Sequence, residues 1–228
     1  FAGFMKYAYN HINYTYQGDM AVGLLWISAI TYTLYLYFGF SGCSDMAIGL
    51  GKMFSFDFGE NFNYPFVSKS ILEFVRRWNV SVTAWFKDYI YDFLTRGKNK
   101  KGMAAVATAV TMVFLVLWYR ADFKIIVAGG IFMLLCVNEK LWLGKILDKL
   151  QRCIGGIYTF ILVNTIFSIV SADSVLDGFS TIRDMFFAGG LAIWNREATY
   201  VVLGYGVVMI IVLIATLPHP AIFIKAFL

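Results

Sequence analysis

Charge is scarce in this chain. Of 228 residues, 14% are Asp, Glu, Lys or Arg, while 60% are hydrophobic and 18% aromatic. Soluble domains carry about 25% charged residues, and the mean hydropathy here is +0.69. A water-soluble globular protein is therefore excluded, and a membrane protein is implied before any motif is read. Histidine is scarcer still, with 2 residues, His11 and His219. Neither has a histidine four positions away, so no helical metal pair exists, and no metal site is expected. Each reads as an interfacial or structural residue, and no nucleophile-elbow motif stands near either. The 3 cysteines, Cys43, Cys136 and Cys153, are odd in number and irregularly spaced. They make neither a disulfide framework nor a zinc site. Cys136, in an apolar run, reads as a small buried hydrophobe. Three prolines leave most helices unbroken.

Phosphate-binding loops are missing too. GLGKMF, Gly49 to Phe54, lacks a third glycine and follows no strand, and Met46 stands where a Walker A glycine is required. The glycine pairs Gly129-Gly130, Gly155-Gly156 and Gly189-Gly190 lie in apolar runs and read as close helix contacts. The net charge is +5. In a membrane chain that excess faces anionic lipid or follows the positive-inside rule, so no nucleic-acid partner is expected. The chain begins with Phe1 and shows no basic leader with a cleavage site. The expectation is that it begins inside a longer protein.

What the chain has is apolar runs. Met20 to Phe40, Met103 to Trp118, Ile125 to Val137, Ile154 to Val170 and Tyr200 to Leu217 are candidate spans. At roughly 20 apolar residues per crossing, they predict four to six embedded helices. Ile125 to Val137 has 13 residues without charge, which suggests a re-entrant or shielded segment. Met185 to Trp194 is too short to span and suggests an interfacial position. The segment from Ser41 to Gly102 holds nine Lys/Arg and six acids. Its basic end, Arg96 to Lys101, favours the cytoplasmic side.

Inside this segment, Ser70 to Leu94 reads as one amphipathic helix. Ile71, Phe74, Val75, Trp78, Val82, Trp85, Tyr89 and Phe93 recur every three or four residues. Ser70 with Glu73 makes a capping box. Periodicity alone favours a helix lying in the membrane surface. Asn79 falls at the edge of the apolar face. Three polar clusters lie near apolar runs: SGCSDMAIGL with Asp45, ENFNYP at Glu60 to Pro65, and WYRAD at Trp118 to Asp122. Ionisable groups close to membrane depth are functional candidates by default. Arg120 and Asp122 also read as a plain interhelical loop.

SDMAIGL, ENFNYP and RRW, in this order, resemble the core of the membrane-bound O-acyltransferases. The alginate O-acetyltransferase branch is the nearer one, and the D-alanyl transfer protein of teichoic acid synthesis a more distant relative. The match is dense from Tyr32 to Tyr91 and weaker to the C-terminus, where Phe167 to Phe186 with SADS is similar to a late helix pair. The resemblance implies an all-α polytopic bundle with in-plane amphipathic helices. Residues 1–228 would be one membrane domain, the C-terminal portion of a fold about twice as long. It implies a multi-pass protein of the bacterial cytoplasmic membrane. An acyl group, acetyl in this branch, would pass from a cytoplasmic donor, acetyl-CoA or an acyl carrier, to an extracytoplasmic polysaccharide hydroxyl. A separate periplasmic transferase completes the transfer in the polysaccharide branch. The donor is a substrate, and no cofactor is implied.

The family's histidines follow RRW in one place and stand in a G-x-W-H-G pattern in another. Here those positions hold Asn79 and, after Trp118, Tyr119, with the flanking glycines absent. Gly39 and Cys43 also stand where the family often has an acid and an aromatic residue. By the same matching, Ser44, Asp45, Asn61, Asn63, Tyr64, Arg76, Arg77, Trp78, Asp88 and Trp118 would contact substrate. A histidine base contributes about 10²- to 10⁴-fold to such a transfer. Asn79 cannot titrate, although it can orient a substrate or donate to an oxyanion. Tyrosine has an unperturbed pKa of about 10, so Tyr119 at neutral pH is a hydrogen-bond donor unless a cation such as Arg120 lowers that value. Three readings follow: an acyltransferase with a diverged site, a scaffold of the same family without turnover, and a transporter.

Overall fold

A computed structural model describes residues 1–96, 101–187 and 189–218. His219 and the central GKNK of the basic run lie outside the described residues. Every regular element among them is helical. The chain runs through α1 (Ala2–Thr15), α2 (Val22–Met53), a 3₁₀ turn (Pro65–Val67), α3 (Ile71–Arg77), α4 (Val80–Phe86) and a π turn (Lys87–Tyr91). It continues through α5 (Asp92–Thr95), α6 (Lys101–Tyr119), α7 (Phe123–Asn138), a second π turn (Glu139–Leu143), α8 (Gly144–Leu147), α9 (Arg152–Ser171), α10 (Val175–Met185) and α11 (Arg196–Ala215). Among the described residues, five stretches are long and apolar enough to cross a membrane: Val22–Met53, Lys101–Tyr119, Phe123–Leu147, Arg152–Ser171 and Arg196–Ala215.

Two of these differ from the sequence expectation. The first extends well beyond Phe40, because Asp45 and Lys52 sit on exposed parts of a continuous helix. The third is no short re-entrant piece. It continues past Val137 as a 25-residue rod, because the charge of Glu139 is taken up by hydrogen bonds rather than by water.

The contacts divide the chain into two compact units, Phe1–Cys43 with Phe167–Leu228, and Ser44–Ile166. The first unit is built on α1, the start of α2, α10 and α11. Ile12, Leu24, Ala198 and Val201 form a buried cluster, with Tyr16, Met20, Ile27 and Tyr205 around it. Within the Met185–Trp194 stretch, residues 189–194 are irregular, and their far end serves α2. Carbonyls of Ala192 and Ile193 accept from the N–H groups of Val22 and Gly23, both at 3.0 Å. Those are donors that a helix start leaves without partners. Gly23 is needed there, since a Cβ would run into the Trp194 ring. His11 sits among Tyr7, Tyr16 and Tyr205, in keeping with a structural role. The Phe167–Phe186 segment is indeed a helix pair, with Ser174 capping α10 by accepting from the Asp177 N–H.

The second unit is built on the antiparallel pair α6 and α7. Arg120 and Asp122 form the loop between them, and Asp122 caps α7 by accepting from the Lys124 N–H at 2.9 Å. Gly129 lets the pair close, because a Cβ there would meet Val116. The other glycine pairs behave differently from the expectation. Gly155 abuts the Lys69 backbone, while Gly130 and Gly156 have open space around their missing side chains. Gly190 has φ +74° in a turn rather than a helix contact.

The stretch Ser70–Leu94 is not one helix. It breaks at Trp78 and Asn79. Trp78 is extended and forms an isolated antiparallel bridge with Phe62. Asn79 has φ +51°, a left-handed conformation that Asn adopts more readily than most residues. The backbone groups leave the helical ladder for the ENFNYP loop. Asn63 N–H donates to the Arg77 carbonyl at 3.0 Å, and Val80 N–H to the Asn61 carbonyl at 2.7 Å. The result is two helical arms, α3 on one side and α4 with its π turn and α5 on the other. Both pack on the α6–α7 pair.

Candidate functional site

Each arm is fixed at a defined point. The N-terminus of α3 is capped twice. Ser70 Oγ accepts from the Glu73 N–H at 3.1 Å, half of the expected capping box. Glu73 reaches back one residue further than that box requires, accepting from the Lys69 N–H at 2.9 Å. Glu139, from the π turn after α7, then accepts from the N–H groups of Ile71 and Leu72, both at 2.8 Å. Tyr158 on α9 donates to the same carboxylate at 3.3 Å. Glu139 is 5% exposed, so three donors stand in for the water it has lost.

The tip between the arms is held by Asn61. Its amide N–H donates to Ser44 Oγ on α2 at 2.7 Å. Its amide oxygen accepts from the Ser81 N–H at 3.3 Å and also from the Ser81 hydroxyl. One loop residue thus ties α2 to the start of α4. Arg77 closes the other side. It pairs with Glu73 at 2.8 Å and donates to the Asn63 carbonyl at 3.1 Å.

This scaffold brings Asn79 to Tyr119, the last residue of α6. The side chains of Asn79 and Trp78 lie within hydrogen-bonding reach of the Tyr119 phenol. An indole N–H can only donate, so towards Trp78 the phenol oxygen is the acceptor. Trp78 is almost buried and stacks on Phe74, which in turn stacks on Phe132 of α7. Eighteen helical steps of about 1.5 Å separate Tyr119 from Lys101, placing the pair roughly 27 Å along α6 from its basic end. Between the arms and α6 lies a cavity of about 80 Å³, with Arg76, Lys140 and Leu115 in its lining. Leu115 is one helical turn before Tyr119.

Residues 5–143 match the model of MBOAT, the membrane-bound O-acyltransferase family. The chain belongs to that family. Among curated relatives, it is 46% identical over 110 residues to the probable alginate O-acetylase AlgI of Pseudomonas putida, covering 47% of this chain and 22% of that protein. It is 35% identical over 106 residues to the peptidoglycan O-acetyltransferase of Helicobacter pylori, covering 46% and 20%. It is 38% identical over 80 residues to the teichoic acid D-alanyltransferase of Bacillus subtilis, covering 33% and 20%. The matched stretch spans about a fifth of the length of these relatives.

Within this membrane-bound O-acyltransferase chain, Asn79, Trp78 and Tyr119 meet directly, and Ser44, Asn61, Asn63 and Arg77 form the frame around them. Tyr64 contributes through its backbone, with φ +46° at the start of the Pro65–Val67 turn. The remaining candidates lie apart from the pair. Trp118 is 55% exposed and touches Tyr119 only edge to face, at 5.2 Å. Arg120 is exposed and pairs with Asp122 at 3.9 Å, which leaves it no exclusive hold on the phenol. Asp45 is exposed on α2, with Glu60 as its charged neighbour. Asp88 is exposed beside Lys87, whose ammonium pKa is pushed up mainly by its hydrogen bond to Asp92 at 2.7 Å. Arg76 lines both the cavity beside α6 and a larger one at the start of α3. The residues that sequence reading missed are Glu139 and Ser81. Glu139 had a signal: a lone acid between apolar runs is costly unless it has a task. Ser81 had none.

Proposed function

We propose that the protein passes an acyl group, acetyl by preference, from a cytoplasmic thioester donor to a hydroxyl of an extracytoplasmic polysaccharide, in the bacterial inner membrane. The donor is acetyl-CoA or an acyl carrier, and a periplasmic transferase is the partner that completes delivery. The names of the three relatives support this reading, since each pairs acyl transfer with a polymer. The observation that carries it is the approach of Tyr119 to Asn79, within hydrogen-bonding reach, at the break between the arms. Two positions that match the family histidines converge on one point.

In the transfer, an acceptor oxygen attacks the thioester carbon, the C–S bond breaks, and the hydroxyl proton ends on the departing thiolate. Tyr119 and Asn79 supply hydrogen bonds to the oxyanion of the tetrahedral intermediate. Donors preorganised in this way contribute about 10²- to 10³-fold each. Neither residue takes the proton at neutral pH, so the reaction lacks a base worth about 10²- to 10⁴-fold. The outcome is a slow acyltransferase.

A second reading is favoured by that same chemistry. With no titrating group at the pair, the protein is a scaffold that holds donor and partner without turnover. Transfer of labelled acetyl from acetyl-CoA, in membranes carrying the full-length protein and its polysaccharide, separates the two. Label in the polymer that is lost with Tyr119→Phe supports the enzyme. Donor binding without label in the polymer supports the scaffold.

A further inference from the structure

The basic end of the second unit carries a separate feature. A cavity of about 620 Å³ opens between the start of α3, the π turn Glu139–Leu143 and α8, with Lys101 at its edge. Five basic residues line it, Lys69, Arg76, Lys101, Lys140 and Lys145, against the acids Glu73, Glu139 and Asp148. The acids are already engaged. Glu73 pairs with Arg77, and Asp148 with Lys69 at 3.1 Å. Glu139 is saturated by two backbone N–H groups and Tyr158. Arg76, Lys101, Lys140 and Lys145 have no ion-pair partner among the described residues. Lys140 is held in place by the Tyr91 hydroxyl at 3.2 Å and the Tyr91 ring at 5.1 Å.

Four unpaired cations around one hollow repel each other unless an anion sits among them. The volume lies within the usual range of small-ligand sites. Its position defines the anion further. Lys101 begins one span, and Lys140 and Lys145 close another. Trp142 stands 73% exposed on the wall, as aromatic residues do at a bilayer surface. Basic pockets between spans at that level take phosphate head groups.

We propose that this cavity binds a phosphate ester at the membrane surface. Two sources share that chemistry: the headgroup of an anionic phospholipid, and a soluble ester such as coenzyme A. The site is distinct from the Asn79–Tyr119 pair, and its test does not depend on turnover.

The test is binding to the full-length protein in detergent. The probes are a short-chain phosphatidylglycerol, phosphatidylcholine of the same chain length, and coenzyme A. Each is followed by native mass spectrometry and by the shift in melting temperature. Retention of phosphatidylglycerol over phosphatidylcholine assigns the lipid source, and preference for coenzyme A assigns the soluble one. In either case Lys145→Gln and Arg76→Gln should each weaken binding about five-fold, the value of roughly one surface cation. Lys145 makes no side-chain hydrogen bond or ion pair among the described residues, so its replacement should leave folding intact. Binding of neither phosphate ester, or binding unchanged in Lys145→Gln and in the variant that combines it with Arg76→Gln, overturns the proposal.

Discussion

Tyr119, at the end of one span, lies within hydrogen-bonding reach of Asn79, the single left-handed residue between α3 and α4. Neither position is remarkable alone. Their meeting requires the break at Trp78, the bridge to Phe62 and the Asn61 ties, all of which hold Asn79 against the end of α6.

Removing only the phenol hydroxyl tests what the pair contributes. With Tyr119→Phe, acetyl transfer should fall about 10²-fold, the cost of one oxyanion donor. Stability should fall by about 1 kcal/mol, the net value of one hydrogen bond. Rate and melting temperature measured on the same preparation separate the two effects.

Asn79 is needed for its backbone as well as its amide. Asn79→Ala places a Cβ residue without local hydrogen bonds at φ +51°, which should cost about 1–2 kcal/mol. Asn79→Gly should be the more stable of the two, because glycine adopts that φ without penalty. Thermal unfolding of the pair in detergent checks the order. Histidine is also tolerated at positive φ better than most residues, so Asn79→His should fold.

Asn61 makes its contacts through both ends of its amide. Asn61→Asp keeps the acceptor for Ser81 but loses the donor to Ser44. Asn61→Ala loses both and leaves the Ser81 N–H without its partner. The expected order of stability is Asn, then Asp, then Ala, with the alanine variant down by about 2 kcal/mol. Limited proteolysis within Glu60–Ser70 should speed up in the same order.

Glu139 organises the start of α3 from a distance. Glu139→Leu leaves two buried N–H groups unpaired, at about 1–3 kcal/mol each. Glu139→Gln retains one acceptor and should retain more than half of that. The comparison is a melting curve, supplemented by hydrogen exchange at Ile71 and Leu72, which should quicken in Glu139→Leu.

The spans were legible in the sequence because each is a long apolar run, and membrane depth demands little else. The Ser70 cap was legible because its signal is local. The break at Asn79 was not. The apolar stripe continues through it in sequence, although Ile71, Phe74 and Trp78 of the first arm are buried while Trp85, Tyr89 and Phe93 of the second are exposed, and periodicity cannot register a change of direction. The true length of the third span was hidden for a related reason. Glu139 and Lys140 look like its end, yet the carboxylate is neutralised in effect by N–H groups of α3, a partner far away in sequence. The candidate site positions were named by matching motifs. That Asn79 and Tyr119 touch could be learned only from the fold.

The central claim is that the Asn79–Tyr119 pair is where the acyl group changes hands. The measurement is the initial rate of acetyl transfer by the Asn79→His/Tyr119→His double variant against the unmodified full-length protein, from pH 6 to 8. A restored base should raise the rate about 10²-fold or more. It should also introduce a rise with pH centred near 6.5, the ordinary histidine value, onto a profile otherwise flat in this range. A double variant that folds, binds donor and transfers no faster than an active unmodified protein, with the same flat profile, would contradict the account.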